Sequence, residues 1–306
     1  MNTSRAGKTG IAAETTETKP PAGGHLSNSQ LNSFSDCGEK YRLAYLEKIP
    51  KEPQGALIGG IAVHDAIDHA YREGWMADPD ANRDRIIGYY LEILDAAIAK
   101  AGGPSTIRWA GRKTKAMPEG ENADFWRGPD AIRMLQRAGE VATADAEAGT
   151  VWWSTETDPY AGLELAITVP FSEAYAITGR IDQLMVDANG EMFVRDWATG
   201  KPGGKTPVQG ALYAEVLARA DGFGFEVARV EYAYLRGATL EIILQSFDPT
   251  PLRAAVLRNF EALERGIQAE AFIMKPGPFC KGCEVRSACD YGKTIDAPAT
   301  NEGSEK

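Results

Sequence analysis

The chain has 306 residues, of which 43% are hydrophobic and 25% are charged, as is ordinary for a globular protein in water. No apolar run approaches the roughly 20 residues that span a bilayer, and the polar N-terminus lacks the apolar core of a signal peptide. We therefore expect a cytoplasmic protein without a membrane partner. A net charge of −10 argues against a protein that coats nucleic acid without specificity, although it allows a local basic groove.

Residues 1–25 and 292–306 lack apolar periodicity, so we predict disordered tails around one domain over 26–291. Within that domain, Ser27 or Ser29 is a suitable cap for a helix that runs towards Cys37.

The next segments have helical periodicity. Gly59 and Gly60 precede an amphipathic stretch that begins at Ile61, and we interpret the glycine pair as a hinge before this helix. His64 lies near the start of the stretch. Helical patterns recur over 84–100 and 129–148, so residues 76–150 are predicted to be largely helical.

The middle of the chain changes to the pattern of a sheet. Three strands are predicted at 163–171, 175–186 and 191–197, and Asp187-Ala188-Asn189-Gly190 is a strong hairpin turn between the last two. A helix over 208–219, strands at 227–235 and 240–247, and a helix over 251–269 follow. The predicted fold is α/β, with a central mixed sheet flanked by helices.

The hairpin carries two acidic residues that this turn pairs across the strands, Asp182 and Asp196. Cross-strand neighbours lie about 5 Å apart, and like charges at that distance are destabilising unless a cation lies between them. Carboxylates suit Mg²⁺ or Mn²⁺. The alternative is a register shifted by one residue, with one carboxylate in solvent.

Three further residues are candidates for the same site. His64 could add an imidazole, although a histidine in an apolar stretch is more often only packed. Gln209 and Tyr213 lie four residues apart and share one face of the helix after the second acidic strand, which could equally be a solvated face.

Cysteines occur at both ends of the predicted domain, at Cys37 and then at Cys280, Cys283 and Cys289. In a reducing compartment such a group is more typical of a metal centre than of disulfides, and a CxxC pair places two thiolates on one turn. We expect the two ends to meet at one metal.

A basic stretch with an aromatic ring is a candidate contact for single-stranded DNA, because cations follow phosphates and a tryptophan can stack on an unpaired base. A solvated loop is the alternative. The stretch consists of Arg108, Trp109, Arg112, Lys113 and Lys115.

Taken in chain order, these segments resemble the PD-(D/E)XK nuclease superfamily, and in particular its RecB-like branch with an iron-sulfur cluster, which includes CRISPR-associated and phage exonucleases and AddB-type subunits. The segments that carry the resemblance are Phe34 to Arg42 around Cys37, Gly60 to His64, Gly179-Arg180-Ile181-Asp182, Arg195 to Lys201, Gln209 to Tyr213, and the three C-terminal cysteines.

The resemblance implies a restriction-endonuclease-like core and a role for each position. Asp182, Asp196 and His64 would bind Mg²⁺ or Mn²⁺ with the main-chain carbonyl of Trp197, and Gln209 and Tyr213 would line the DNA side. The four cysteines would hold a 4Fe-4S cluster that clasps the chain ends, with zinc as the alternative. Implied partners are single-stranded DNA or duplex ends, and recombination or CRISPR-adaptation proteins.

The sequence departs from the family pattern at Ala198, where the family has a catalytic lysine two residues after the second acid. Three explanations are open: an introduced inactivating substitution, a degenerate nuclease, or a cation such as Lys201 or Lys205 that reaches in from the loop. We favour the first, because the surrounding motif is otherwise intact.

We therefore expect a metal-dependent DNA exonuclease that is impaired at Ala198. A noncatalytic module that binds DNA ends is the main alternative. Another is a structural protein that is held together by zinc and whose acidic hairpin is only part of its surface.

Overall fold

The computed structural model describes residues 24–109, 122–200, 207–220, 227, 229–236, 241–246 and 249–296. Its first elements are a short strand, β1 (His25–Ser27), and two short helices, α1 (Asn28–Asp36) and α2 (Gly38–Tyr41), of which α2 continues as a π-helical turn over Arg42–Leu46. The Ser27 side chain accepts a hydrogen bond from the backbone N–H of Gln30 and so caps α1, as predicted.

Three long helices follow, α3 (Gly55–Arg72), α4 (Arg83–Lys100) and α6 (Pro129–Ala148), with the short α5 (Ala123–Arg127) before the last. The predicted glycine hinge is wrong, because Gly59 and Gly60 lie inside α3. A Cβ atom at Gly59 would lie 2.1 Å from the ring of Trp126. Gly59 therefore allows the indole to pack directly on the helix.

The sheet is mixed and contains seven strands among the described residues. Six of them follow α6: β2 (Val151–Trp152), β3 (Leu163–Pro170), β4 (Ala176–Val186), β5 (Met192–Ala198), β6 (Arg229–Tyr234) and β7 (Glu241–Ser246). The long β4 pairs antiparallel with β2, β3 and β5 and parallel with β1. Beyond β5, β6 runs parallel to it and β7 antiparallel to β6.

Helices cover both faces of this sheet, which confirms the predicted α/β class. On one face, α3, α4 and α6 enclose a core that includes Ile67, Tyr90, Met134 and Trp197. On the other face, α7 (Pro207–Arg219) and α8 (Pro249–Gln268) pack on a core that includes Val194, Leu212, Val216 and Phe260.

The C-terminal segment contains two short 3₁₀ turns, Pro278–Gly282 and Arg286–Ala288, and ends in α9 (Asp290–Asp296). The predicted C-terminal tail thus began too early, because residues 292–296 are helical, and the N-terminal tail ended too late, because His25 belongs to β1. The rest of both predicted tails lies outside the described residues. Within the described part of the chain, no helix is both long and apolar enough to cross a membrane.

Candidate active site

The hairpin of β4 and β5 has the predicted register. Gln183 pairs with Arg195 and Leu184 with Val194, so one further step along the ladder leads to Asp182 and Asp196. The turn closes through Asp187, whose Oδ1 accepts hydrogen bonds from the backbone N–H groups of Asn189 and Glu191. At the far end, Asp182 Oδ2 accepts a 2.8 Å hydrogen bond from the backbone N–H of Trp197.

His64 and a glutamate that was not predicted lie beside Asp182. His64 extends from α3, and its Nδ1 is 3.4 Å from Asp182 Oδ2. Glu164 lies on β3 between the pairs Leu163 with Gln183 and Leu165 with Ile181, and thus faces Asp182. One ligand atom from each of His64, Glu164 and Asp182 lies within 4.8 Å of the other two. The only sequence signal for Glu164 is an acidic residue in an apolar strand.

The crowding of carboxylates changes the proton affinities in this cluster. Burial raises the pKa of Glu164 to about 7, and the Asp182 carboxylate adds to the rise, while Arg180 and His64 oppose it. Burial lowers the pKa of His64, but Asp182, Asp196 and Glu164 outweigh that effect and raise it to about 8. Without a bound cation, the cluster thus takes up protons to balance its negative charge.

Asp196 is held from the other side by α7. The carboxylate is 1% exposed, and its Oδ2 accepts 2.8 Å hydrogen bonds from Gln209 Nε2 and from the Tyr213 hydroxyl. Burial, followed by the charge of Asp196, raises the pKa of Tyr213 well above its usual value, so the phenol keeps its proton and donates it. The structure therefore brings Gln209 and Tyr213 onto the second acidic residue.

Trp197 and Ala198 complete β5. Trp197 is 2% exposed and packs its indole in the core beneath α3. Ala198 is 1% exposed and lies two residues after Asp196, hence on the same face of the strand, in the core beneath α7. Lys201 and Lys205, the candidate substitutes for a lysine here, lie outside the described residues.

The sequence model of the PD-(D/E)XK nuclease superfamily matches residues 25–290, a range that contains all seven strands of the described residues and all of this cluster. The chain belongs to the PD-(D/E)XK nuclease superfamily. It is also 27% identical over 286 residues to the Gene 69 protein of Mycobacterium phage D29, with 87% of this chain and 97% of that protein covered. The Gene 69 protein of Mycobacterium phage L5 is 25% identical over 301 residues, with 87% and 96% covered.

Among solved structures, similarity extends to one described as "Putative exonuclease" from Eubacterium rectale. It is 16% identical, covers 88% of this chain and 87% of its own, and has a TM-score of 0.44.

The cysteines lie where the segment after α1 meets the C-terminal segment of the described chain. Cys37 follows α1, and its Sγ accepts a 3.4 Å hydrogen bond from the backbone N–H of Lys275, while the N–H of Gly38 donates to the carbonyl of Ile273. Cys283 and Cys289 pack against a small core of Leu43, Ala44 and Val285. Sequence positions more than 200 residues apart thus form one contact region, which we call the end junction.

None of the four cysteines forms a disulfide, and all four are of intermediate exposure. Burial raises the pKa of Cys283, and the neighbouring Cys289 and Cys37 add to the rise, while the N–H of Val285 and the charge of Lys40 lower it. Among the residues that the structure describes, no three cysteine sulfurs come within 4.8 Å of one another.

Two residues of the predicted DNA contact have partners inside the molecule. The Arg108 guanidinium donates to the carbonyls of Lys281 and Gly282 and lies 3.3 Å from Glu52. Trp109 Nε1 donates to the carbonyl of Pro104. These contacts do not support a role of Arg108 and Trp109 in binding DNA, and Arg112, Lys113 and Lys115 lie outside the described residues.

Proposed function

We propose that the protein is a divalent-metal-dependent DNA exonuclease of the RecB-like branch, which hydrolyses phosphodiester bonds in single-stranded DNA or at DNA ends. The observation that supports this most directly is the approach of His64 on α3 to Asp182 on β4. Asp196 on the neighbouring strand β5 is near enough to raise the pKa of His64. The phage origin of the Gene 69 relatives agrees with a phage nuclease.

The donor set fits Mg²⁺ or Mn²⁺. Adjacent ligands of an octahedral ion about 2.1 Å from the metal are about 3 Å apart, and His64 Nδ1 lies 3.4 Å from Asp182 Oδ2, close to that spacing. We assign Asp182, Asp196, His64 and the main-chain carbonyl of Trp197 as ligands. A bound divalent ion would polarise the scissile phosphate and neutralise charge that develops on it.

Gln209 and Tyr213 act on Asp196 in this proposal. Two hydrogen-bond donors on one oxygen fix the orientation of the Asp196 carboxylate. Removing such a hydrogen-bond partner of a metal ligand typically lowers metal affinity by about 10-fold to 100-fold. Tyr213 is only 5% exposed, so we assign it to positioning Asp196, and the more exposed Gln209 to the DNA side of the same carboxylate.

Ala198 predicts weak cleavage. A methyl group can neither position the attacking water nor stabilise the charge that develops, and removing such an electrostatic group typically lowers rates by about 10² or more. This same observation favours a second candidate function, a noncatalytic module that binds DNA ends and retains the fold.

For the cysteines we propose a 4Fe-4S cluster at the end junction. The cysteines come from both sides of the junction, and Cys37 and Cys289 lie near enough to Cys283 to raise the pKa of its thiol. Four thiolates are the usual ligand set of such a cluster, with zinc as the alternative. Anaerobically purified protein should be brown and absorb visible light, and Cys37→Ser should remove the colour. A colourless protein with one equivalent of zinc would overturn the assignment.

A nuclease assay with Mn²⁺ tests the function. End-labelled single-stranded and duplex DNA should be degraded slowly by the chain with Ala198 and about 10²-fold faster by Ala198→Lys, while closed circular DNA should stay intact. Ala198→Met, which has similar length without charge, is the matched control and should not accelerate cleavage.

Two outcomes would count against the proposal. If Ala198→Lys binds Mn²⁺ and DNA normally and remains inactive, the active site is assigned wrongly. If Asp182→Asn binds DNA ends as well as the native chain and neither the native protein nor Ala198→Lys cleaves, the noncatalytic module is the better description.

A further inference from the structure

Glu164 is the one member of the acidic cluster to which the proposed function gives no role. It stands on β3 next to Asp182 on β4, which in turn adjoins Asp196 on β5. Three neighbouring strands thus each bring one carboxylate to the same end of the sheet. Like charges in adjacent strand positions are destabilising unless a cation lies among them.

The backbone of β3 changes direction at Glu164. Its φ of +50° lies in the left-handed region, which is unfavourable for a residue with a Cβ atom. Side chains an even number of residues apart lie on the same face of a regular strand. In β3, however, Leu163 packs in the core beneath α3, whereas Ile167 and Val169 pack in the core beneath α7. At this irregular position the Glu164 carboxylate lies beside His64 and Asp182.

An ion pair with Arg180 is the simplest alternative role for Glu164. The Arg180 Nε lies 2.5 Å from Glu164 Oε2, but the arginine side chain is 70% exposed while that of Glu164 is 16% exposed. Ion pairs with one partner in solvent contribute little to stability. The pair therefore does not account for a carboxylate that also lies within 4.8 Å of the ligand atoms of His64 and Asp182.

We propose that Glu164 is a further ligand of the divalent cation, placed on β3 opposite the ligands from β4 and β5. This inference rests on the proposed function, because it assumes the metal site around Asp182. With Glu164 included, the protein would supply three carboxylates, one imidazole and the main-chain carbonyl of Trp197, which is a donor set that favours Mn²⁺ or Mg²⁺ over softer metals.

Mn²⁺ affinity, measured by titration calorimetry in the absence of DNA, tests the inference without relying on activity. Glu164→Gln should weaken Mn²⁺ binding by about tenfold or more, because replacing residues that surround a metal site typically lowers metal affinity by about that factor. Arg180→Gln is the matched control, because it removes the ion pair and keeps the carboxylate; it should bind Mn²⁺ at least as tightly as the native chain. Equal losses in both variants, or none in Glu164→Gln, would overturn the role of Glu164.

Two more variants separate the possible failures. Glu164→Gly removes the carboxylate and suits the positive φ, so it provides a folded test if Glu164→Gln does not fold. Asp182→Asn reports on the proposed metal site itself. If Asp182→Asn binds Mn²⁺ normally, the metal site of the proposed function is wrong; if it loses binding while Glu164→Gln and Glu164→Gly retain it, only the inference about Glu164 fails.

Discussion

At the scale of single residues, the Asp196 carboxylate is held by two donors from α7. Replacing Tyr213 with Phe removes one of them with little change in volume. We expect the variant to remain folded, to lose about 1 kcal/mol of stability, and to bind Mn²⁺ about tenfold more weakly.

The control for this variant is Tyr90→Phe, since the Tyr90 hydroxyl is also buried but donates to the carbonyl of Trp126. This change should reduce stability by a similar amount and leave Mn²⁺ affinity unchanged. Equal Mn²⁺ affinity in the two variants, measured by calorimetry, would show that Tyr213 does not orient a metal ligand.

Protonation at the same cluster predicts how metal binding depends on pH. The pKa of His64 is raised to about 8 and that of Glu164 to about 7, so at pH 7 the metal-free site carries protons that a cation must displace. Mn²⁺ binding should therefore release protons at pH 7, and affinity should rise with pH until about 9, where both groups are deprotonated.

Calorimetry in two buffers of different ionisation enthalpy measures this release directly. His64→Gln should release fewer protons at pH 7 than the native chain. Identical heats in the two buffers at pH 7 would contradict the coupling between the metal and these two groups.

At the scale of elements, the packing of α3 on Trp126 predicts that Gly59→Ala destabilises the protein, whereas helix propensity alone would predict stabilisation. Alanine is the better helix former, yet at Gly59 its methyl group would overlap the indole. Gly59→Ala should destabilise the protein by about 1–3 kcal/mol. The exposed Gly88 of α4 has open space around its Cβ position, so Gly88→Ala should stabilise by about 0.5–1 kcal/mol.

Chemical denaturation of these two variants measures both free energies of unfolding. Stabilisation by Gly59→Ala would mean that α3 and α5 do not pack as closely as described here.

A buried ion network joins other elements around the hairpin. Arg195 is 3% exposed and binds Asp145 of α6 and Glu231 of β6. Its two partners come from α6 and β6, so the network fixes β5, and with it Asp196, relative to the helix layer. Such a network is sensitive to loss of one member, because the remaining charges stay buried.

At the scale of the whole molecule, the end junction connects α3, which carries His64, to the C-terminal segment around the cysteines. The backbone N–H of Glu52 donates to the carbonyl of Glu284, and Arg108 links Glu52 to the turn between Cys280 and Cys283. The chain enters α3 a few residues later, at Gly55. Disturbing the junction should therefore affect the position of α3 and of His64.

Gly38→Ala tests this connection without changing a cysteine. A Cβ atom at Gly38 would lie 2.6 Å from the backbone nitrogen of Ile273, so the two ends would have to separate. We expect less visible absorbance per chain and a lower melting temperature. Gly282→Ala, which has open space in the same junction, should retain both properties, and indistinguishable results for the two variants would contradict the close approach of the chain ends.

Local patterns in the sequence accounted for the long helices and for the hairpin. The apolar periodicity over 84–100 and 129–148 is a pattern of residues three and four apart, and both segments are helical. The turn at Asp187 to Gly190 sets the register that brings Asp182 next to Asp196. The order of the motifs was sufficient to indicate the nuclease superfamily. The helices and the hairpin depend on interactions between residues close in the chain, so they can be predicted without a tertiary structure, whereas the superfamily was indicated by the resemblance of its motifs.

Only the tertiary structure decided the surroundings of the site. Glu164 lies beside Asp182 in a strand that is irregular at that residue. Gly59 packs against an indole from another helix. Arg108 donates to a turn more than 170 residues away. Each of these contacts joins segments that are distant in sequence, and their side chains carry no local periodicity. The acidic pair was therefore determined by the sequence itself, whereas the third carboxylate beside it emerged only when three strands packed side by side.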